Sequence, residues 1–375
     1  MDSDHLSFDQ GLEARVKNSL LRFVVASVFC ASLSLITCSG SEDDTPHRVV
    51  DVHESNGDPD WVSPPNADVY VVGNGPVYWK NGKVHKLNGA SYYTEGMSVF
   101  VSGDDVYVVG RHTPNYEHAV LWKNGQPLYL DGGSAYSKAN SVFVSGENVY
   151  VAGYRSNPKG MDVATLWVNG KPQDLGNSVN PSNAHSVFVS GEDVYVGGVE
   201  DGYFGMIWKN GKSTGRITNP EYGGRYAKVY SVFVSGEDVH AAVSDFVGLP
   251  RANVWQYGEI QTLCLDAAVY SVAVSGGDVY AAGSEANREI TETYVKFATL
   301  WKNGEKQSLT DGLRFAQASS VVAVGGNVYV AGYEEGENGK AVPMLWINGE
   351  AKPLKSAGIS QARAVFVVER QPSGD

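Results

Sequence analysis

The feature that most constrains the fold is a short phrase that recurs along the chain at nearly constant spacing. It reads SVFVSG in its full form, and full or degraded copies are 40 to 49 residues apart. The copies begin at Ser98, Ser141, Ser186, Ser231, Ser271, Ser320 and Ala364. A second phrase, Trp-x-x-Gly, also occurs seven times, at Trp79, Trp122, Trp167, Trp208, Trp255, Trp301 and Trp346. A period of this length that contains several short strands is typical of a β-propeller.

Each repeat contains four strand-like runs, named A to D here in chain order. Strand A is the SVFV run, strand B resembles VYVAG, strand C ends in runs such as ATLWK at 298–302, and strand D follows in runs such as QPLYL at 126–130. An Asn-Gly pair separates strands C and D in most repeats, and it favours a tight hairpin because both central residues of such a turn need positive φ. The 43 glycines and 21 tyrosines fit strands joined by tight turns. The sequence therefore predicts an all-β fold of four-stranded antiparallel blades.

The two ends of the repeat region complement each other. Residues 68–73 (DVYVVG) begin the first repeat at strand B, whereas the last copy, AVFVVE at 364–369, is a strand A with no other strand after it. Joining the two gives seven complete blades. We therefore predict a ring closed by the C-terminal strand, which becomes the innermost strand of the N-terminal blade. Closure would remove the exposed sheet edges of an open array.

The N-terminal region has the layout of a secretory signal. Residues 20–37 read LLRFVVASVFCASLSLIT, and Arg15, Lys17 and Arg22 precede or open this apolar run. The uncharged run after Arg22 is fifteen residues long, shorter than the roughly 20 that a transmembrane helix needs. The sequence therefore predicts a secretory leader rather than a membrane-spanning anchor.

The end of this leader, Leu35-Ile36-Thr37-Cys38, resembles a bacterial lipobox, in which the cysteine is lipidated and becomes the first mature residue. The following SGSEDDTP is similar to the surface-export signal of Bacteroidota lipoproteins, although a solvated acidic linker is the alternative. The resemblance implies an outer-membrane lipoprotein at the cell surface, held to the membrane by its lipid anchor alone. The predicted organisation is a lipoprotein-type signal peptide at 1–37, an acidic flexible tether at 38–66, the propeller at 67–369 and a tail at 370–375.

A repeat unit within the propeller also resembles a known group. The pattern A-x-L-W-K-N-G-x-x-x-x-L, as in Ala119–Leu130 and Ala298–Leu309, is similar to the extracellular HAF repeats of bacterial proteins and to repeats of Bacteroidota lipoproteins. The resemblance covers roughly residues 67–369 and implies architecture only. It brings no catalytic residues that could be assigned to this chain.

Charge and composition argue against several classes of function. The net charge of −13 disfavours nucleic acid, whose phosphates attract Lys and Arg. The body contains one cysteine, Cys264, which we expect to be a small buried hydrophobic residue with a free thiol. The histidines show no metal-ligand spacing, so the sequence predicts neither a metal nor a cofactor, and it favours a non-catalytic protein. Paired carboxylates could still meet in the fold, which leaves a propeller hydrolase or lyase as an alternative.

The connections of a blade divide between two faces. The A–B and C–D turns lie on one face and are short and nearly uniform, whereas the B–C and D–A connections lie on the other and vary between blades. Binding residues usually lie on variable loops that a rigid scaffold positions. We therefore expect any function on the B–C/D–A face, called the loop face below; the opposite face is called the turn face.

The residue just before each SVFV run differs between blades and is expected to surround the central opening. These residues are Met97, Asn140, His185, Tyr230, Tyr270, Ser319 and Arg363. The candidate ligand-binding residues are five members of this ring and six residues expected in the loops. They are Asn140, His185, Tyr230, Tyr270 and Arg363, with Arg111, Tyr154, Arg155, Tyr203, Tyr226 and Tyr333.

Tyrosine and arginine are residue types that anchor interfaces, and tyrosine also stacks on sugar faces. The sequence therefore favours a non-catalytic, surface-tethered, monomeric propeller that recognises a glycan or a protein partner through its loop face. Three alternatives remain at this stage: solvated loop ends without a ligand, a structural component of an outer-membrane complex, and an enzyme.

Overall fold

The structure is a computed structural model in which most of the propeller region can be described. It describes residues 64, 66–91, 93–113, 117–131, 136–177, 179–217, 226–256, 258–288, 295–354 and 359–370. The predicted signal peptide, Cys38, nearly all of the tether and residues 371–375 lie outside these ranges. Within them, no helix is long and apolar enough to cross a membrane.

The described residues form twenty-eight strands. Blades 1 and 2 contain β1 (Ala67–Gly73), β2 (Val77–Lys80), β3 (Lys83–Lys86), β4 (Glu95–Ser102), β5 (Asp105–His112), β6 (His118–Lys123) and β7 (Gln126–Tyr129). Blades 3 and 4 contain β8 (Ser137–Ser145), β9 (Asn148–Ser156), β10 (Asp162–Val168), β11 (Lys171–Asp174), β12 (Asn183–Ser190), β13 (Asp193–Glu200), β14 (Phe204–Lys209) and β15 (Lys212–Ile217).

The remaining strands complete the ring. Blades 5 and 6 contain β16 (Lys228–Ser235), β17 (Asp238–Val247), β18 (Leu249–Gln256), β19 (Glu259–Leu265), β20 (Ala267–Ser275), β21 (Asp278–Asn287), β22 (Val295–Lys302) and β23 (Glu305–Ser308). Blade 7 contains β24 (Ala316–Val324), β25 (Asn327–Glu335), β26 (Ala341–Ile347) and β27 (Glu350–Pro353), and β28 (Ala362–Glu369) follows.

These strands form seven four-stranded antiparallel sheets, which confirms the predicted seven-bladed propeller. Six blades consist of four consecutive strands, and the first has the order β28-β1-β2-β3. The C-terminal strand pairs along the whole of β1, from Ala67 opposite Glu369 to Gly73 opposite Ala362. The predicted closure is therefore confirmed, since the strand missing from the first repeat is supplied by the end of the chain.

A repeated hydrogen bond joins the inner strands of neighbouring blades. The serine that opens each SVFV run accepts a hydrogen bond from the backbone N–H of the valine that follows the corresponding serine in the next blade. Ser98 accepts from Val142, Ser141 from Val187, Ser186 from Val232, Ser231 from Val272, Ser271 from Val321 and Ser320 from Val365, at 3.1–3.3 Å. At the closing junction Ala364 occupies this position and has no hydroxyl to offer Val99.

The tryptophans of the Trp-x-x-Gly phrase fill the spaces between blades. Six of the seven are at most 1% exposed, and only Trp255 is half-buried. Trp167 of blade 3 packs in one cluster with Tyr107 and Leu121 of blade 2. Burial of such large aromatic surfaces between sheets makes adjacent blades a single packed unit.

The turn face is built from one repeated set of contacts, seen clearly in blade 2. Asn124 has φ of 51°, its Oδ1 accepts from the Val106 N–H at 2.8 Å, and its Nδ2 donates to Asp105 at 2.7 Å. Lys123 reaches the same carboxylate at 2.7 Å and lies 5.3 Å from the centre of the Tyr107 ring. The Asn-Gly turns of blades 1, 3, 4, 6 and 7 also have positive φ at both residues, which confirms the predicted hairpin type.

Cys264 differs in part from its prediction. It lies on β19 and is buried, at 4% exposure, as expected of a small hydrophobic residue. However, it is disulfide-bonded. The expectation of a free thiol was therefore wrong.

Candidate functional site

Every inner strand carries a β-bulge near the loop face. Pairing with strand B shifts by one residue between Ala139 and Ser141, between Ala184 and Ser186, and at the corresponding place in the other five blades. The extra residue is the predicted ring residue in each case: Met97, Asn140, His185, Tyr230, Tyr270, Ser319 and Arg363. A bulge leaves one residue out of the pairing and turns its side chain away from the regular alternation.

The prediction that these residues immediately precede strand A was wrong in one respect, because they lie inside the strand. The inner strands begin two or more residues earlier than the hydrophobic phrase, as in β4, which starts at Glu95. All seven bulge residues are half-buried, as expected of side chains that line an opening. We call this set of seven the mouth.

A glycine on strand B makes room for the bulge in six blades. A Cβ built on Gly153 would lie 1.9 Å from the carbonyl oxygen of Lys138, and Gly332 has the same relation to Gln317. In these blades an added Cβ would clash with the backbone of the inner strand. Blade 5 has Val243 at the corresponding register position.

One side of the mouth is aromatic and spans blades 4 to 6. The His185 and Tyr230 rings stack at 5.3 Å with an interplanar angle of 12°, and Tyr230 meets Tyr270 edge to face at 5.5 Å. Tyr333 of blade 7 lies close enough to Tyr270 and Arg363 to interact electrostatically with both. Burial raises the pKa values of all three tyrosines, so their hydroxyls stay protonated and able to donate near neutral pH.

His185 is held in one tautomer by the neighbouring blade. Its Nδ1 lies 2.9 Å from the carbonyl oxygen of Val229, and because a carbonyl can only accept, Nδ1 must be the protonated nitrogen. Burial lowers the pKa of His185 to about 4, and Lys228 and Lys138 also lower it. The ring is therefore neutral at pH 7, with Nε2 as a hydrogen-bond acceptor. Asn140 makes the equivalent bond to the Ala184 carbonyl oxygen, at 2.9 Å.

The other side of the mouth is charged and centres on Glu95. Arg111 holds both oxygens of this carboxylate, at 2.9 and 3.0 Å, and Lys138 of the next blade approaches it to 3.6 Å. Arg111 also pairs with Glu117, which accepts a hydrogen bond from the Tyr154 hydroxyl at 3.3 Å. Despite the burial of Glu95, which raises its pKa, the Arg111 hydrogen bond and nearby cations bring that pKa below its ordinary value.

Arg363 completes this charged side from blade 1. It acts electrostatically on Glu95 of blade 2, Lys138 of blade 3 and Tyr333 of blade 7. Because Arg363 interacts with residues of three different blades, its side chain must extend toward the central opening. Arg363 and Tyr333 therefore lie near the aromatic side of the mouth. Arg111 and Tyr154 belong to the charged side.

Several predicted site residues do not lie where the sequence placed them. Arg111, Tyr154, Arg155 and Tyr333 were expected in loops but belong to strands B, which extend further than their hydrophobic runs. Arg155 pairs with Asp174 on the outermost strand of its blade, at 3.1 Å, and so is directed away from the mouth.

Tyr203 and Tyr226 form a separate pair on the loop face. Their rings meet edge to face at 5.3 Å and are 52% and 54% exposed. Tyr203 lies in the B–C connection of blade 4, and Tyr226 lies in the D–A connection that follows, with φ of 67°. No contact connects this pair to the mouth residues in the part of the chain that the structure describes.

Sequence reasoning missed Glu95, Glu117 and Lys138. Glu95 and Lys138 each lie two residues before a ring position, so extending the period-2 alternation of strand A upstream could have found them. Glu117 follows no repeated pattern and is positioned by Arg111. A further carboxyl group, Glu334, lies beside Tyr333 on β25, and burial raises its pKa to about 7, with Asp311 adding to the rise.

An aromatic arc lines the channel beneath the mouth. The third residue of the SVFV run is phenylalanine in blades 1 to 5, and successive ring centres are 4.5–5.0 Å apart across Phe366, Phe100, Phe143, Phe188 and Phe233. Ala273 and Val322 replace it in blades 6 and 7. The channel wall is therefore bulky and apolar on five sides and smaller on two.

The described residues contain no group of three or more His, Cys, Asp or Glu that could hold a metal ion.

Comparisons with known proteins give likenesses in fold alone. No protein-family model matches the sequence, and no curated protein matches it. Among solved structures, the structure of YjhT is 13% identical with a TM-score of 0.42, covering 69% of this chain and 97% of that one. The β-propeller domain of the Trilobed protease from Pyrococcus furiosus is 14% identical with a TM-score of 0.43, covering 70% and 86%.

A puromycin-hydrolyzing peptidase from Mycobacterium tuberculosis is 11% identical with a TM-score of 0.46. The match covers 78% of this chain and 52% of the peptidase.

Proposed function

We propose that the protein is a non-catalytic binding protein that holds a glycan at the mouth. The observation that supports this most is the asymmetry of the bulge position on an otherwise repeated scaffold. The same half-buried position carries His185, Tyr230 and Tyr270 on three adjacent blades and polar or charged residues on three others. A position that served only the scaffold would be expected to repeat, as the serine and tryptophan positions do.

The chemistry of the aromatic side suits a sugar. Tyrosine rings offer apolar faces for the C–H groups of a pyranose, and their protonated hydroxyls donate hydrogen bonds to its oxygens. His185 adds an acceptor at Nε2. Because these rings are fixed by their contacts with one another, little side-chain entropy is lost when a ligand binds.

A glycan array probed with the full-length protein tests the proposal. We expect at least one oligosaccharide to bind, and we expect Tyr270→Ala to weaken that binding about tenfold or more. Tyr203→Ala is the matched control, because it removes an exposed tyrosine of the loop face that does not contact the mouth. Absence of binding across the array, together with turnover of a glycoside or ester library, would contradict a non-catalytic role.

A protein partner is the second candidate, and the exposed Tyr203–Tyr226 pair favours it. Exposed aromatic residues are frequent anchors of protein interfaces, and Phe246 on the neighbouring blade is also 50% exposed. Capture of the same partner by wild type and Tyr270→Ala, but not by Tyr203→Ala, would assign this role to the pair rather than to the mouth.

We further propose that the propeller is tethered to the cell surface through Cys38. This proposal is supported by the lipobox-like Leu35–Cys38 stretch and the acidic residues after it. Cys38→Ala should release the protein from the membrane fraction. Retention of that variant in the membrane fraction would contradict a lipid anchor at this residue.

A further inference from the structure

Arg363 differs from the other arginines of the molecule. Each of the seven other arginines that the structure describes lies within 4 Å of a carboxylate oxygen. Arg363 has no such partner among the residues that the structure describes, and its Nε is buried there without a hydrogen bond. A buried donor that lacks an acceptor is costly, so this arrangement calls for an explanation.

The Glu95 carboxylate does not supply that acceptor. Glu95 senses Arg363 electrostatically, but its two oxygens are held by Arg111 and approached by Lys138. Burial lowers the pKa of Lys138, and repulsion from the like charge of Arg363 lowers it further. The charged side of the mouth therefore brings cations together around a carboxylate that is already engaged.

Arg363 is also placed beside the aromatic side. Tyr333 interacts electrostatically with both Arg363 and Tyr270. A sugar ring stacked on these tyrosines would bring its substituents toward the guanidinium. The guanidinium fork matches a carboxylate, which it can bind through two parallel hydrogen bonds.

We propose that the mouth selects an acidic sugar, whose carboxylate binds Arg363 while its ring stacks on Tyr270 and Tyr333. This inference rests on the proposed glycan-binding function and names the class of its ligand. The carboxylate gives the guanidinium the acidic partner that the other described arginines have, and it compensates the positive charge of the neighbouring cations. A charged, bidentate hydrogen bond of this kind is worth roughly ten- to a hundredfold in affinity.

The test uses the full-length protein and a glycan array of matched pairs. Each uronic- or sialic-acid-terminated oligosaccharide is printed beside its methyl ester, which keeps the shape and removes the charge. Wild type should bind the acid at least tenfold more tightly than the ester. Arg363→Gln should reduce that ratio to near one, and Arg363→Lys should keep only part of it because an ammonium cannot form the two-bond fork.

Arg155→Gln is the matched control, since it removes the same charge from an arginine paired with Asp174 outside the mouth. It should keep the full acid preference. Thermal unfolding of each variant checks the fold. If Arg363→Gln does not fold, a reduced acid-over-ester preference in Arg363→Lys is the result that supports the inference.

Two results would overturn the inference alone. One is equal binding of acid and ester by wild type, and the other is an equal loss of preference in Arg155→Gln. Sulfated probes that bind as well as carboxylated ones would overturn the carboxylate assignment. Failure to bind any sugar, charged or neutral, would instead overturn the glycan-binding function itself, and the inference with it.

Discussion

The turn face and the mouth lie at opposite ends of the same strands, yet they use their side chains differently. At the turn face, the amide of Asn124 both donates and accepts within the blade, and Asp105 is shared by Asn124 and Lys123. At the mouth, a bulge releases one residue per blade from pairing. Polar side chains at the repeated turn positions are therefore engaged within their own blade, whereas the side chains at the bulges are left available for a ligand.

This contrast predicts that changes to the scaffold alter stability and that changes to the mouth alter binding.

Deletion of residues 362–375 should have the largest effect. It removes β28, the inner strand of blade 1, together with buried Val365 and Val367. We expect the free energy of unfolding to fall by more than about 4 kcal/mol, measured by chemical denaturation. Deletion of residues 371–375 alone keeps β28 and should change little. Equal stability of the two truncated proteins would refute ring closure by this strand.

Gly153→Ala tests whether the bulge depends on its facing glycine. The new Cβ would lie 1.9 Å from the Lys138 carbonyl oxygen, so the inner strand must move, at a cost of roughly 2–3 kcal/mol. Val243→Ala, at the same register position of blade 5, removes two buried methyl groups without a clash and should cost roughly 1–3 kcal/mol. A loss below about 0.5 kcal/mol for Gly153→Ala would show that the bulge is not constrained by this contact.

Asn124→Ala tests the turn face. The substitution places a less tolerant residue at φ of 51° and removes two hydrogen bonds, so we expect a loss of about 1–2 kcal/mol. Asn124→Gly tolerates that φ and should lose less. If both variants unfolded at the wild-type denaturant concentration, the repeated turn contacts would contribute nothing to stability.

Ala364→Ser should have the smallest effect and the opposite sign. It would give the closing junction the hydroxyl that accepts from the next valine N–H at the other six junctions. We expect a gain of roughly 0.5–1 kcal/mol in the same denaturation experiment. A neutral or destabilising outcome would indicate that Val99 is already satisfied or that the closing junction has a different geometry.

The parts of the fold that the sequence predicts are those with local causes. Positive φ at Asn124 and Gly125 follows from two adjacent residues, and ring closure follows from a missing strand at one end and an extra one at the other. The bulge was not predicted, although Gly153 was visible, because register depends on which residues face one another across a strand pair. Arg155 was misplaced for the same reason. Its partner Asp174 lies on β11, which is not part of the repeated SVFVSG or Trp-x-x-Gly phrases.

The contacts that distinguish the two sides of the mouth could not be predicted either. Glu95 and Lys138 lie 43 residues apart and meet only because blades 2 and 3 are neighbours. The variable position can be found by comparing the repeats in the sequence, but the pairing among its occupants is a property of the closed ring.

A double comparison of binding and stability tests the central claim most directly. The tightest-binding oligosaccharide of the array is titrated into wild type, Tyr270→Ala and Asn124→Ala, and the free energy of unfolding is measured for each. We expect at least tenfold weaker binding for Tyr270→Ala under conditions where it remains folded, and wild-type affinity for Asn124→Ala despite its lower stability. Weakened binding in Asn124→Ala with unchanged binding in Tyr270→Ala would contradict it.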